Sequence, residues 1–378
     1  MALLTFRMVP RRPRRAARLA LTPLLLWCCG CPLPTADDGD PNSKLPKLDQ
    51  AGNNTLATAS PLGLEATSEV RFTGSIDGVT DIDVYALGDV KPGDRVYIDV
   101  RTTGGDLDPV AAIFDSREYL IAFNDDRSPD GTDLNPLIDV VLPANEGLYY
   151  LGIIAYPDLP TQGDYEITVQ IVRQVGVPPP EGQLIFLDWD GGTHVVVPNV
   201  GEYNLKVFSA ADVGLPSAST AELKQRVEEI VAERYAAYDF TVVSSDDGAE
   251  PDTPHSTVYF GGADARAFAI SEQVDTFNQD PSDATIIFVQ SYQGAFQTEP
   301  TLEEMAQALG NTVAHDVGHL LGLVHTRDCD DLMDTTCFND RLLSPQDFKV
   351  GQLDFSVFPF GYQAAAEILT WLLGLAPT

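Results

Sequence analysis

Between about residues 65 and 173 the chain alternates apolar and polar positions in short runs and never settles into a helical period. The runs are VRFTGSI (70–76), DVYALG (83–88), RVYIDVRT (95–102), VAAIFD (110–115), YLIAFND (119–125), LIDVVLP (137–143), LYYLGIIAY (148–156) and DYEITVQIV (164–172). A period of two sends alternate side chains to one face, and the Gly, Asp and Pro clusters between runs supply turns. This predicts an antiparallel β-sandwich of roughly seven to nine strands. The stretch QVGVPPPEG at 174–182 then interrupts the pattern, because consecutive prolines favour an extended spacer, and a domain boundary is placed there.

Beyond the spacer both periods occur. QLIFLDWD (183–190), HVVVP (194–198), FTVVSS (240–245), STVYFGG (256–262) and ATIIFVQ (284–290) read as strands, with an irregular acidic loop over 261–283. Leu223, Val227, Ile230 and Val231 recur at helical spacing behind a capping box at Ser219-Thr220-Ala221-Glu222, predicting a helix to about Tyr238. A second capping box, Thr301 to Glu304, opens a helix whose Met305, Leu309, Val313 and Val317 form a stripe. On it His315 lies about 200° from Val313, so the helix is expected to pack one face on the sheet and turn the other to a cleft. AAAEILTWLLGLA (364–376) reads as an apolar helix docking on the body, too short for a membrane span. The expected fold class is two domains, an all-β antiparallel sandwich (65–173) followed by an α+β domain of mixed sheet plus helices (183–378).

The first 30 residues read differently: a basic start, then an apolar run from Leu19 to Trp27. That is the pattern of a secretory signal peptide. Residues 31–64, polar and without hydrophobic periodicity, are expected to be a flexible tether. Cys31 after Gly30 resembles a bacterial lipoprotein processing site, which implies a lipid anchor at Cys31, with simple secretion as the alternative.

Composition narrows the function classes. Of 378 residues 44% are hydrophobic, enough for real cores, and 56 Asp and Glu against 23 Lys and Arg give a net charge of −33. No stretch of the body is basic enough for nucleic acid. Cys28 and Cys29 fall in the leader and Cys31 directly follows it, leaving Cys329 and Cys337 as a pair that an exported protein would close into a disulfide. Two free thiols or two more metal ligands are the other readings.

Candidate chemistry gathers in NTVAHDVGHLLGLVHTRDCDDLM (311–333), which carries three of the five histidines. His315 and His319, four apart, sit about 40° from each other around a helix and can share one ion. Gly322 can end the helix left-handed and bring His325 back to the same point. Three neutral imidazoles around an open fourth position is the arrangement of a catalytic Zn2+. His194 is read as a strand-edge residue and His255 as an exposed turn residue.

The run HDVGHLLGLVH, followed by Met333 in DLMD, resembles the metzincin zinc-protease signature H-E-x-x-H-x-x-G-x-x-H with its Met-turn. The resemblance, matrixin-like in type, implies a metzincin-like peptidase domain over 183–378 that cleaves protein or peptide substrates. It implies His315, His319 and His325 as metal ligands, Asp316 as general base, and Met333 packed beneath the histidines. Asp316 departs from the family's glutamate and is shorter by roughly 1.5 Å, so either a peptidase or a zinc-binding pseudoenzyme fits. Asp328, Asp330 or Asp331 is a candidate to hydrogen-bond a ligand histidine. The disulfide between Cys329 and Cys337 would stiffen the floor under the metal.

The segment 65–173 resembles the bacterial pre-peptidase C-terminal domain through DIDVYAL (Asp81, Asp83, Val84, Tyr85), Gly93, FNDD (Asp125, Asp126), GLYYLGI and GDYEITV. That implies a β-sandwich accompanying a secreted protease. Asp81, Asp83, Asp125 and Asp126 are then either Ca2+ ligands or turn residues. The expected whole is a monomeric exported zinc endopeptidase of the cell envelope or medium, or a surface protein that binds peptides without cleaving them.

Overall fold

The computed structural model describes residues 45–377 apart from 51, 65–67, 129–130, 144–146, 158 and 336. Residues 1–44, with the expected leader and Cys31, lie outside the described residues. The chain is mostly β, with three α-helices among the described residues. Nine strands come first: β1 (Ser60–Pro61), β2 (Glu69–Ile76), β3 (Asp83–Val90), β4 (Arg95–Gly105), β5 (Pro109–Asp115), β6 (Leu120–Asn124), β7 (Leu137–Val141), β8 (Gly147–Ala155) and β9 (Gly163–Val172). They form a five-stranded sheet, β1-β3-β8-β5-β6, and a four-stranded sheet, β2-β9-β4-β7. Each run expected from alternation is one of β2 to β9. Inward residues of both sheets, among them Phe72, Val96, Ile113, Leu151 and Ile167, share one core, as apolar-in alternation requires.

Then come β10 (Gln183–Asp188), β11 (Gly192–Val197), β12 (Gly201–Leu205), α1 (Thr220–Arg234), β13 (Phe240–Ser244), β14 (Ser256–Phe260), β15 (Ala269–Ser271), β16 (Ala284–Ile287), α2 (Leu302–Leu320), β17 (Val350–Gln352), β18 (Tyr362–Ala364) and α3 (Ala365–Leu373). Strands 13, 10, 14, 16 and 15 make a mixed sheet. All its pairs are parallel except the edge strand β15, antiparallel to β16. Leu223, Val227 and Ile230 of α1, the Met305–Leu309–Val313–Val317 stripe of α2, and Ala365, Leu369 and Leu373 of α3 fill the core against it.

Several local expectations are corrected. Strand β15 lies inside the loop expected to be irregular, because three residues are too few to show alternation. The Ser219 capping box does not form: Ser219 belongs to a 3-10 turn with φ −88° and ψ 2°, and its hydroxyl caps nothing. The Thr220 hydroxyl instead donates to Ser217 O at 2.8 Å, and α1 ends at Arg234. The Thr301 box is formed, with Glu304 Oε2 accepting from Thr301 N at 2.8 Å. Helix α2 has no open face, since every residue from Met305 to Leu320 is buried.

Every residue of strand β5 is also buried, because its outer face (Val110, Ala112, Phe114) joins Val324, Leu353, Val357 and Phe358 in a further apolar cluster. Arg117 clamps Glu367 through two 2.9 Å bonds beside it. The sandwich and the helix-bearing part therefore share buried surface.

The topology does not bring the four aspartates to one calcium site. Asp81 precedes β3 and Asp125 follows β6; those strands are three places apart in the sheet, roughly 14 Å. Calcium ligands must lie about 2.3–2.6 Å from the ion. No such acidic group converges among the described residues. Asp83 is instead buried, accepting from the Tyr165 hydroxyl. Burial pushes its pKa up to about 7, the Tyr165 bond opposing. The unfolded value is about 3.9, so between pH 4 and 7 the folded chain keeps a proton that the unfolded chain has lost. Stability falls as pH rises through that window, by up to roughly 4 kcal/mol from this group, and is level above it. Denaturant titrations at pH 5 and 7.5 should show a smaller pH difference in Asp83→Asn than in the native chain.

Candidate metal centre

Helix α2 delivers His315 and His319 on consecutive turns, and its end delivers the third ligand. Gly322 N donates to His319 O at 2.9 Å and Leu323 N to Gly318 O at 2.8 Å, the paired bonds of a Schellman stop. Gly322 stands at φ 83°, and a Cβ there would meet Asp275 O at 2.7 Å and Thr276 Cα at 2.9 Å. Glycine is needed for both reasons. The reversal brings His325 to the other two, all three buried.

Nε2 of His319 lies 3.0 Å from Nε2 of His315 and 3.0 Å from Nε2 of His325. His315 Nδ1 is 2.7 Å from Leu332 O, and His319 Nδ1 is 2.7 Å from Leu323 O. A carbonyl only accepts, so both Nδ1 atoms carry the proton and both Nε2 atoms present bare lone pairs. Two lone pairs at 3.0 Å cannot hydrogen-bond, and the three converging nitrogens form a group that could hold a cation. Nitrogens about 2.0–2.1 Å from a tetrahedral zinc stand about 3.3 Å apart, so the donor set fits zinc with small adjustment. Burial pushes His315 down to about 3, His319 to about 4, and His325 well below its ordinary value. All three are thus neutral, as ligation demands.

Met333 is fully buried beneath this helix. Its Sδ would lie 2.7 Å from a Cβ at Gly318, so Gly318, whose part in the site was missed in the sequence, is what lets the turn close up. Cys329 and Cys337 form a disulfide that brackets Met333, which leaves no thiolates for a second metal group with Asp334.

The expected aspartate support for a histidine is corrected. Backbone carbonyls orient His315 and His319. Asp331, fully buried, accepts from Thr326 Oγ1 at 2.8 Å and Met333 N at 3.3 Å, holding the turn. Asp330 pairs with Arg341, and Asp328 accepts from Asp330 N.

Asp316 is buried beside the ligands, but its carboxylate is outside the group whose ligand atoms lie within 4.8 Å of one another. Oδ1 accepts from Ser271 Oγ of β15 at 3.0 Å and Thr285 Oγ1 of β16 at 3.4 Å. Oδ2 is buried without a hydrogen-bond partner. Burial raises its pKa to about 7, against the two hydroxyls. Neither hydroxyl was singled out in the sequence, since 31 and 45 residues separate them from Asp316.

The other two histidines are elsewhere. His194 sits in β11 and pairs with Glu202 across the hairpin. His255, expected exposed, has a side chain only 10% exposed, because it packs edge-on to Phe186 and meets Thr253 O at 2.7 Å.

No protein-family model matches this chain, and no curated protein does. Among solved structures it is similar to an archaemetzincin from Methanopyrus kandleri, with 14% identity over 44% of this chain and 89% of that one and a TM-score of 0.27. It is also similar to metalloproteinase-II from Bacteroides fragilis (12% identity, 75% and 90% coverage, TM-score 0.23). A third is the pre-peptidase C-terminal domain of a collagenase from Bacillus anthracis (21% identity, 27% and 89% coverage, TM-score 0.21). These likenesses are distant, and the functional reading rests on the site's own geometry.

Proposed function

We propose that the chain is an exported zinc-dependent peptidase in which His315, His319 and His325 hold the metal. The observation that carries this is the convergence of three Nε2 atoms with two Nδ1 protons fixed on carbonyls. A bound zinc ion supplies Lewis acidity, polarising a scissile carbonyl and making water a usable nucleophile near neutral pH. In this reading Asp316 would accept the proton of the attacking water and return it to the leaving nitrogen. Ser271 and Thr285 fix its carboxylate. The Cys329–Cys337 disulfide belongs to an oxidising compartment and, with the leader sequence, supports export, either secreted or anchored through Cys31. No helix among the described residues is long and apolar enough to cross a membrane.

The hold of Ser271 and Thr285 on Asp316 also favours a second reading, a zinc-loaded protein that binds peptides without cutting them. Zinc-loaded full-length chain, Asp316→Asn and Asp316→Glu should be compared on a panel of quenched peptides. The native chain is expected to cleave in a chelator-sensitive way, and Asp316→Asn to lose about 100-fold or more, the ordinary worth of general acid–base help. Cleavage by Asp316→Glu with none by the native chain would transfer support to the second reading.

A further inference from the structure

The segment after the third ligand contains an arginine whose situation the proposed chemistry does not use. Thr326 bridges Leu353 antiparallel; Arg327 N donates to Gln352 O at 2.9 Å, and Asp354 N to His325 O at 3.0 Å. Thr326 turns its hydroxyl to Asp331, and the chain bends at Arg327. Arg327 is two residues beyond the ligand His325, so its Cα lies within roughly 7 Å of that of His325.

This chain has a net charge of −33, so cations seldom lack partners. Every other arginine among the described residues is ion-paired to a carboxylate. Arg327 has no carboxylate within ion-pair distance among them, and its Nε is buried without a hydrogen-bond partner. Its guanidinium lies 3.9 Å over the ring of Phe355, which is 62% exposed. Stacking of this kind occupies the flat face of the guanidinium and leaves its in-plane donors for a bidentate acceptor. An unpaired, pre-oriented fork beside a metal centre is a carboxylate receptor.

We infer that Arg327, stacked on Phe355, is the specificity-determining residue of the proposed peptidase site and takes a peptide carboxylate flanking the scissile bond. The inference rests on the zinc-peptidase reading for its substrate class. The carboxylate comes from an Asp or Glu side chain or from the free C-terminus of a peptide.

The test uses zinc-loaded full-length chain and quenched octapeptides with Glu or Gln next to the cleaved bond, each as free acid and as C-terminal amide. The same peptides are titrated calorimetrically into metal-free protein, which reads binding without turnover. Native protein is expected to favour the carboxylate member of a pair by roughly 10- to 100-fold, and Arg327→Gln to bring the ratio within about 2-fold of one. A preference that follows Glu against Gln assigns the side chain; one that follows acid against amide assigns the C-terminus. Carboxylate-selective binding that is lost in Arg327→Gln, with no cleavage by native protein, upholds the subsite and refutes the peptidase reading. Equal cleavage of every pair, absence of binding, or a preference retained in Arg327→Gln overturns the subsite.

Discussion

Replacing His319 by alanine is expected to abolish stoichiometric zinc binding. Its Nε2 is the shared member of the cluster, 3.0 Å from both other Nε2 atoms, and the two histidines that remain cannot complete a tetrahedral site. Changes to groups that merely orient a ligand cost about 10- to 100-fold in metal affinity, so loss of the ligand itself should exceed about 100-fold. Ion bound to the native fold alone also adds stability: free zinc at about 1,000 times its Kd contributes about 4 kcal/mol. In His319→Ala the same concentration should leave the melting transition where it stands without metal. Metal content by mass spectrometry and a thermal scan with and without zinc check this. One equivalent of tightly held zinc in the variant would show that the metal lies elsewhere.

Gly322→Val is expected to destabilise the protein by about 3–5 kcal/mol. At φ 83° a β-branched residue is strained before it touches anything. Its Cβ would then press on Asp275 O and Thr276 Cα, which are backbone and cannot swing aside. Asp275 N also donates to His319 O at 3.0 Å, so the displaced loop loosens the end of the ligand helix. Denaturant midpoints at fixed zinc measure the loss, and the zinc-dependent part of stability should shrink with it. A valine variant within about 0.5 kcal/mol of native stability would mean that the turn is not held as described.

Much of the site was legible because it is local. Two histidines one helical turn apart, a glycine three residues on, a third histidine and a buried methionine are linked by helix and turn geometry. Each link spans a few residues, and the structure places all of them together. Most of the eight strand runs were legible for the same reason, since a half-buried strand writes its period directly into the sequence, while β5 and β6, buried on both faces, showed as short apolar runs between turns. Strand β15 and the hairpin partner β12 were not; the first is three residues long, and the second's burial alternates only weakly.

What stayed hidden depends on residues brought together from far apart. The partners of Asp316, the carbonyls that orient the histidines, the separation of Asp81 from Asp125, and the covering of β5 are set by tertiary packing. A side chain's partner 45 residues away leaves no periodic mark. The sequence by itself determined which residue types stand one helical turn apart and where the chain must reverse, because those are short-range properties of φ, ψ and side-chain shape. Only the tertiary structure decided which polar groups lose water and what they then face. Asp316 is the clearest case: its position beside His315 is written in the chain, but its hold by Ser271 and Thr285 exists only where β15 and β16 meet the histidine-bearing helix.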